Sequence, residues 1–176
     1  MAISFADLDV TVGGATSNSY GTLEELKAYF SNRSEAEEFL ALSDEVLITR
    51  LIQAVMINDT ALTAYGELAS NEQSLLFPRR NLIDKHGRTY ADDVIPDKIK
   101  WAQFEQALFC NTNNISIPSI LTQGFSEAHL DVMSIKLDKD FIPNKLSYDV
   151  IDFLSLFGTV DTALGSEAQY IDVVRY

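Results

Sequence analysis

The chain has 176 residues, with 26 Asp and Glu against 13 Lys and Arg, and a formal charge of −13. An acidic surface of this size repels polyanions at long range, which argues against gripping nucleic acid as the main task. An apolar fraction of 47% excludes disordered and collagen-like classes and leaves one compact domain as the expectation.

No apolar run approaches the roughly 20 residues needed to cross a bilayer, and the N-terminus has no basic, apolar leader, so we expect a soluble protein made in the cytoplasm with no membrane partner. Cys110 is the one cysteine and reads as a small buried thiol. Charge is spread unevenly. Residues 1–72 hold 3 basic and 12 acidic side chains, residues 73–100 hold 6 and 4, and residues 101–176 hold 4 and 10.

Residues 1–18 alternate Leu8, Val10 and Val12 with Asp7, Asp9 and Thr11, which suits a half-buried strand or an extended arm ended by Gly13-Gly14. Thr22 and Glu25 have the spacing of a capping box, and Leu23, Leu26 and Phe30 give the helix behind it an apolar face. Ser34 to Leu42 is acidic and fits either a short helix or a loop. From a Ser43 cap, Leu47, Leu51, Ala54, Val55 and Leu62 recur at helical spacing, which predicts a long helix ending near Gly66.

The stretch from Phe77-Pro78 through Tyr90 reads as a long connection, because proline lacks a donor and disfavours a helical residue before it. Pro96 opens a third helix. Ile95, Ile99, Ala102 and Phe109 form one apolar row on it and Trp101, Phe104 and Leu108 another, so it needs packing partners on two sides. The alternation Leu130, Val132, then Ile135, Leu137 slips once, which predicts a bulged strand pair or two short strands. Ser147 caps a fourth helix so apolar, with Val150, Ile151, Phe153, Leu154, Leu156 and Phe157, that it must pack against something. The expected fold is mainly α: a small helical bundle over residues 1–158 with a short β element in the C-terminal third, an N-terminal arm, and an extended tail over residues 159–176.

Chemistry-bearing patterns are sparse. Only His86 and His129 are present, and the sequence has neither a Gly-x-Ser-x-Gly elbow nor a phosphate-cradling Gly-x-x-x-x-Gly-Lys loop. Asp7/Asp9, Asp92/Asp93/Asp97 and Asp138/Asp140 do not supply the converging oxygens and turn glycine of a cation site, and they read as solvated acidic loops. We therefore expect no catalytic residues, no metal and no cofactor. The basic island from Phe77 to Lys100 is the ambiguous element. Arg79 and Arg80 could meet phosphate, pair with carboxylates of a neighbouring protein surface, or be solvated. In so acidic a chain, self-association through the island is the economical reading, with the acidic N-terminal half of one subunit meeting the basic loop of the next.

The order Asn18-Ser19-Tyr20, a short helix ending Ala28-Tyr29-Phe30, a long helix, Gln73-Ser74-Leu75-Leu76-Phe77-Pro78-Arg79, Gly87, and Ile95-Pro96-Asp97-Lys98-Ile99-Lys100 opening a helix resembles the head-tail connector proteins of tailed bacteriophages. Some of those relatives are catalogued as DnaT-like single-stranded-DNA-binding proteins. The resemblance covers residues 15–112 and is weak beyond them. It implies a non-enzymatic virion protein of the neck that binds the portal protein as a homo-oligomeric ring, a dodecamer, and offers a surface to a tail or second neck protein.

DNA would pass through such a channel without specific binding, and an acidic wall suits that passage. On this reading Phe77, Arg79, Arg80, Phe153 and Phe157 are expected at the subunit interface. The alternating end Tyr170, Ile171, Val173, Val174, Arg175 and Tyr176 is expected to add as a strand to the portal or another partner. The alternative is an ssDNA-binding or replication accessory protein.

Overall fold

Helix α1 (Leu23–Phe30) starts where Thr22 and Glu25 close their capping box: the Glu25 N–H donates to Thr22 Oγ1 (3.1 Å) and the Thr22 N–H to Glu25 Oε2 (2.8 Å). The chain, in a computed structural model that describes residues 8–113, 127–130, 133–136 and 146–162, then runs through a 3-10 turn (Ser34–Ala36), α2 (Glu37–Leu40) and α3 (Asp44–Ala61). Next come β1 (Leu62–Ala64), β2 (Glu67–Leu68), β3 (Arg79–Arg80), α4 (Asp97–Thr112), β4 (Glu127–Leu130), β5 (Met133–Lys136), α5 (Tyr148–Leu154) and β6 (Gly158–Val160). The protein is mainly α, with short antiparallel pairs β1–β6, β2–β3 and β4–β5. The slipped alternation near residue 132 resolves as β4 and β5, two short strands paired to each other with Leu130 opposite Met133.

Helix α4 positions everything else. Its Trp101, Phe104 and Leu108 row packs with Leu26, Phe30, Phe39, Leu47 and Leu51 of α1–α3, and its Ile99, Ala102 and Cys110 side packs with Val55, Ala61, Phe77, Val150, Leu154 and Phe157. The two apolar rows therefore serve two halves of one core. Burying a Phe or Leu side chain contributes about 1.5–3 kcal/mol, so this double contact is a dominant stabilising feature.

Three expectations are corrected. Residues 8–18 form no strand, because the Asp9 carboxylate captures the Thr11 N–H (3.0 Å) and Thr16 Oγ1 (2.8 Å) and turns the chain back. Helix α3 ends at Ala61 rather than near Gly66, since Leu62–Ala64 leave it to pair with β6. The tail does not begin at 159: Thr159 and Val160 pair with Thr63 and Leu62, and the Asp161 N–H donates to Ala61 O (2.8 Å), so the fold runs at least to Asp161. Gly158 permits this closure, because a Cβ there would stand 2.3 Å from Thr63 O.

Candidate functional site

The basic island folds over the C-terminal end of α3 and the residues at and after the end of α5. Arg79 sits in β3 opposite Leu68 and is buried, 9% exposed. Its Nε donates to Tyr65 O (2.5 Å), Nη2 to Gly66 O (2.8 Å) and Nη1 to Leu76 O (3.3 Å). Burial lowers its pKa, and these three carbonyls, rather than a carboxylate, hold the charge. Arg80, next to it, is exposed, faces Glu67 across the strand pair and donates Nε to Leu68 O (3.2 Å).

Beneath this loop lies a buried polar network. The Tyr20 hydroxyl donates to the Asp59 carboxylate (2.7 and 2.8 Å to its two oxygens) and accepts from the Phe77 N–H (3.3 Å), while the Leu76 N–H donates to Asp59 Oδ2 (3.0 Å). Burial pushes the Asp59 carboxyl up to about 6, with the Leu76 and Tyr20 donors pulling the other way. Burial likewise raises Tyr20 well above the ordinary phenol range, and the adjacent Asp59 charge adds to that.

Gln103, fully buried on α4, accepts the Tyr20 and Gly21 N–H groups on Oε1 (3.0 and 3.1 Å) and donates Nε2 to Ser19 Oγ (2.7 Å) and Leu51 O (3.1 Å). Gln73 ties the loop to itself through Leu75 O (2.7 Å) and Pro78 O (3.1 Å), and the Ser74 hydroxyl reaches Ser17 O (2.5 Å). The segments that carried the family resemblance, Asn18-Ser19-Tyr20 and Gln73 to Arg79, are thus stitched together. They close the fold rather than line a ligand site.

Phe77 and Phe157 are brought together, with ring centroids 6.2 Å apart, but both lie in the hydrophobic core at 1% and 0% exposure. With Arg79, they are buried within this chain. Phe153 is half-buried and packs edge-on to Trp101 (6.2 Å), with Lys98 Nζ between them at 4.4 Å from the Trp101 centroid and 4.6 Å from the Phe153 centroid. Of Arg79 and Arg80, it is Arg80 that faces solvent. Tyr170, Ile171, Val173, Val174, Arg175 and Tyr176 lie outside the described residues.

Sequence reasoning missed Tyr20, Asp59 and Gln103. A signal existed in Gln103, a polar residue inside the widest apolar face of the chain, and in Asp59, a lone acid in a long uncharged run after Arg50. Among the described residues, no group of three His, Cys, Asp or Glu side chains could hold a metal ion, and no helix is long and apolar enough to cross a membrane.

The described residues form a mainly α domain whose buried Arg79 is bound to carbonyls of its own chain and whose motif residues tie loops together. Residues 7–162 match the family described as "Putative DnaT-like ssDNA binding protein", and the chain belongs to that family. Neither the curated proteins nor the solved structures compared with the chain gave a match.

Proposed function

We propose that this chain is a structural protein of a tailed-bacteriophage neck, a head-tail connector that sits as a ring on the portal, extends the DNA channel and presents a surface to the next neck or tail protein. The observation that supports it most is the disposition of charge. In a chain of net −13, Arg79 is held by internal carbonyls, Arg33 by Glu35 and Glu105, Lys27 by Asp44 and Lys100 by Glu25, so that among the described residues these four cations are engaged within the chain and the exposed Arg80, Lys85 and Arg88 stand in an excess of acidic side chains. Walls of this kind let DNA slide past without holding it.

The test is to incubate the full-length protein with purified portal rings and image the product by electron microscopy. A collar of density coaxial with the portal is the expected result, and portals that stay bare would sink the proposal.

A second reading, single-stranded-DNA binding, is favoured by the family description and by Lys98 set between two aromatic rings, a combination that stacking platforms use. Fluorescence anisotropy with a labelled oligonucleotide at physiological salt separates the two. We expect no saturable binding, and a micromolar dissociation constant would transfer the assignment.

A further inference from the structure

The N-terminal end of α3 is acidic, and a hairpin near its other end carries basic side chains at its turn. At its N-terminal end the 3-10 turn, α2 and the first turn of α3 expose Glu35, Glu37, Glu38, Asp44 and Glu45. Glu35 is paired with Arg33 and Asp44 with Lys27, whereas Glu37, Glu38 and Glu45 enter no ion pair among the described residues.

At the other end, α3 runs directly into β1, β1 pairs with β6, and the residues just before β6 hold a hairpin, Ile83–Tyr90. The Lys85 N–H donates to Leu156 O (2.8 Å), and the Tyr90 ring packs against Phe157 at 5.6 Å.

That hairpin is closed by its own hydrogen bonds. Ile83 bridges Thr89, the Asp84 N–H donates to Arg88 O (2.9 Å), the Tyr90 N–H donates to Leu82 O (3.1 Å), and Gly87 makes the turn at φ +81. The Asp84 carboxylate points into it and accepts the His86 N–H (2.8 Å), the Arg88 N–H (2.9 Å) and the Tyr90 hydroxyl (3.1 Å). Burial works against ionising Asp84, but these donors and the nearby Arg88 charge outweigh it and hold the carboxyl below its ordinary range. At its turn the hairpin exposes Lys85, His86 and Arg88, none in an ion pair among the described residues, with Ile83 and Thr89 exposed beside them and Asp92 and Asp93 exposed just beyond it.

The 18 residues of α3 span about 27 Å, more than three screening lengths of about 8 Å at physiological salt, so the acidic and basic ends do not neutralise each other within one molecule. A second copy displaced head to tail brings them together.

We infer that the Ile83–Tyr90 hairpin of one copy docks on the Glu37, Glu38 and Glu45 face of the next, a heterologous contact that repeats. The inference moves the inter-subunit cations from Arg79 and Arg80 to Lys85 and Arg88, and it rests on the connector reading only for the closure of the repeat into a ring. A second copy fits better than a nucleic acid, because a tip with two full charges is a small grip on phosphate in so acidic a chain, whereas the complementary face is carried by the chain itself.

The experiment uses the full chain and two double variants, Lys85→Glu with Arg88→Glu and Glu37→Lys with Glu38→Lys. Self-association is followed by sedimentation velocity at about 20 mM and about 300 mM salt. Wild type should associate weakly and more so at low salt, each variant alone should associate at least about tenfold less, and an equimolar mixture of the two should recover wild-type association. Recovery requires both variants to be folded, so loss through misfolding is recognised. A wild type that stays monomeric at low salt, a variant that associates unchanged, or a mixture no better than its components would overturn the inference. So would a Lys85→Glu, Arg88→Glu variant that loses oligonucleotide binding while still self-associating. Recovery that yields open chains rather than closed rings on portal would leave the contact standing and count against the connector reading instead.

Discussion

Arg79 lies under the loop with its guanidinium donating to Tyr65 O, Gly66 O and Leu76 O, while Arg80 reaches Leu68 O from an exposed position. Removing the first strands three carbonyls, and leaving buried polar groups unmatched costs about 1–3 kcal/mol each at the upper end of independence. Arg79→Ala should therefore lose about 2–4 kcal/mol in urea unfolding, and Arg80→Ala should stay within about 0.5 kcal/mol. Equal effects would mean that Arg79 is not held as described.

Asp59 makes the second residue-scale prediction. Its carboxyl is raised from 3.8 to about 6 in the folded protein, so the folded state binds the proton more tightly than the unfolded chain does. The resulting stability is fully present below about pH 4 and is lost as pH rises through 6, a change of about 3 kcal/mol. Asp59→Asn keeps an acceptor for Tyr20 and Leu76 but cannot ionise. The difference in unfolding free energy between variant and wild type should accordingly grow in the variant's favour from pH 4 to pH 7, and a constant difference would mean that Asp59 is solvated.

At the scale of elements, the fold was legible wherever one local rule acted alone. The Thr22–Glu25 spacing placed α1, the two apolar rows of residues 95–109 placed α4 between two halves of the core, and Ser147 capped α5, where the Val150 N–H donates to Ser147 Oγ (3.2 Å). It was not legible where a distant segment decided the outcome. Nothing in Leu62-Thr63-Ala64 announces that β6, almost a hundred residues later, will draw these residues out of the helical pattern of α3.

The burial of the candidate residues was hidden for a related reason. Phe77, Phe157 and Arg79 look like surface anchors in a loop and a terminal helix, yet Phe77 and Phe157 share a core with residues of α4 and β1 and Arg79 is held by the Tyr65, Gly66 and Leu76 carbonyls, which only the assembled fold reveals. The β1–β6 pair also fixes where the chain can be cut. Truncation after Gly158 removes the partners of Leu62 and Thr63 and should lower the melting temperature by several degrees, about 1–2 kcal/mol, below that of a chain truncated after Thr162, which keeps them. Thermal melts of the two shortened proteins decide it, and equal stabilities would show that the strand pair contributes nothing.

For the whole molecule, the question is which electrostatic contribution wins. The four ion pairs among the described residues are mostly surface contacts: Lys27–Asp44 has side chains 43% and 63% exposed, and only Arg33–Glu105 buries one partner, at 7%. Exposed pairs contribute about 0–1 kcal/mol each. Against them stands an excess of 13 negative charges on a chain of this size, whose mutual repulsion opposes the compact state and is relieved by salt. Repulsion is the larger effect, so raising sodium chloride from about 20 to about 300 mM should raise the melting temperature by a few degrees.

The same salt should weaken the contact between the Lys85–Arg88 tip and its acidic face, because that attraction acts across solvent between fixed opposite charges. Stability and self-association should consequently move in opposite directions along one salt titration, a pairing that neither uniform screening nor apolar association produces. A melting temperature that falls with salt would mean that the local ion pairs outweigh the net charge, and the acidic surface would then owe its composition to something other than repelling DNA.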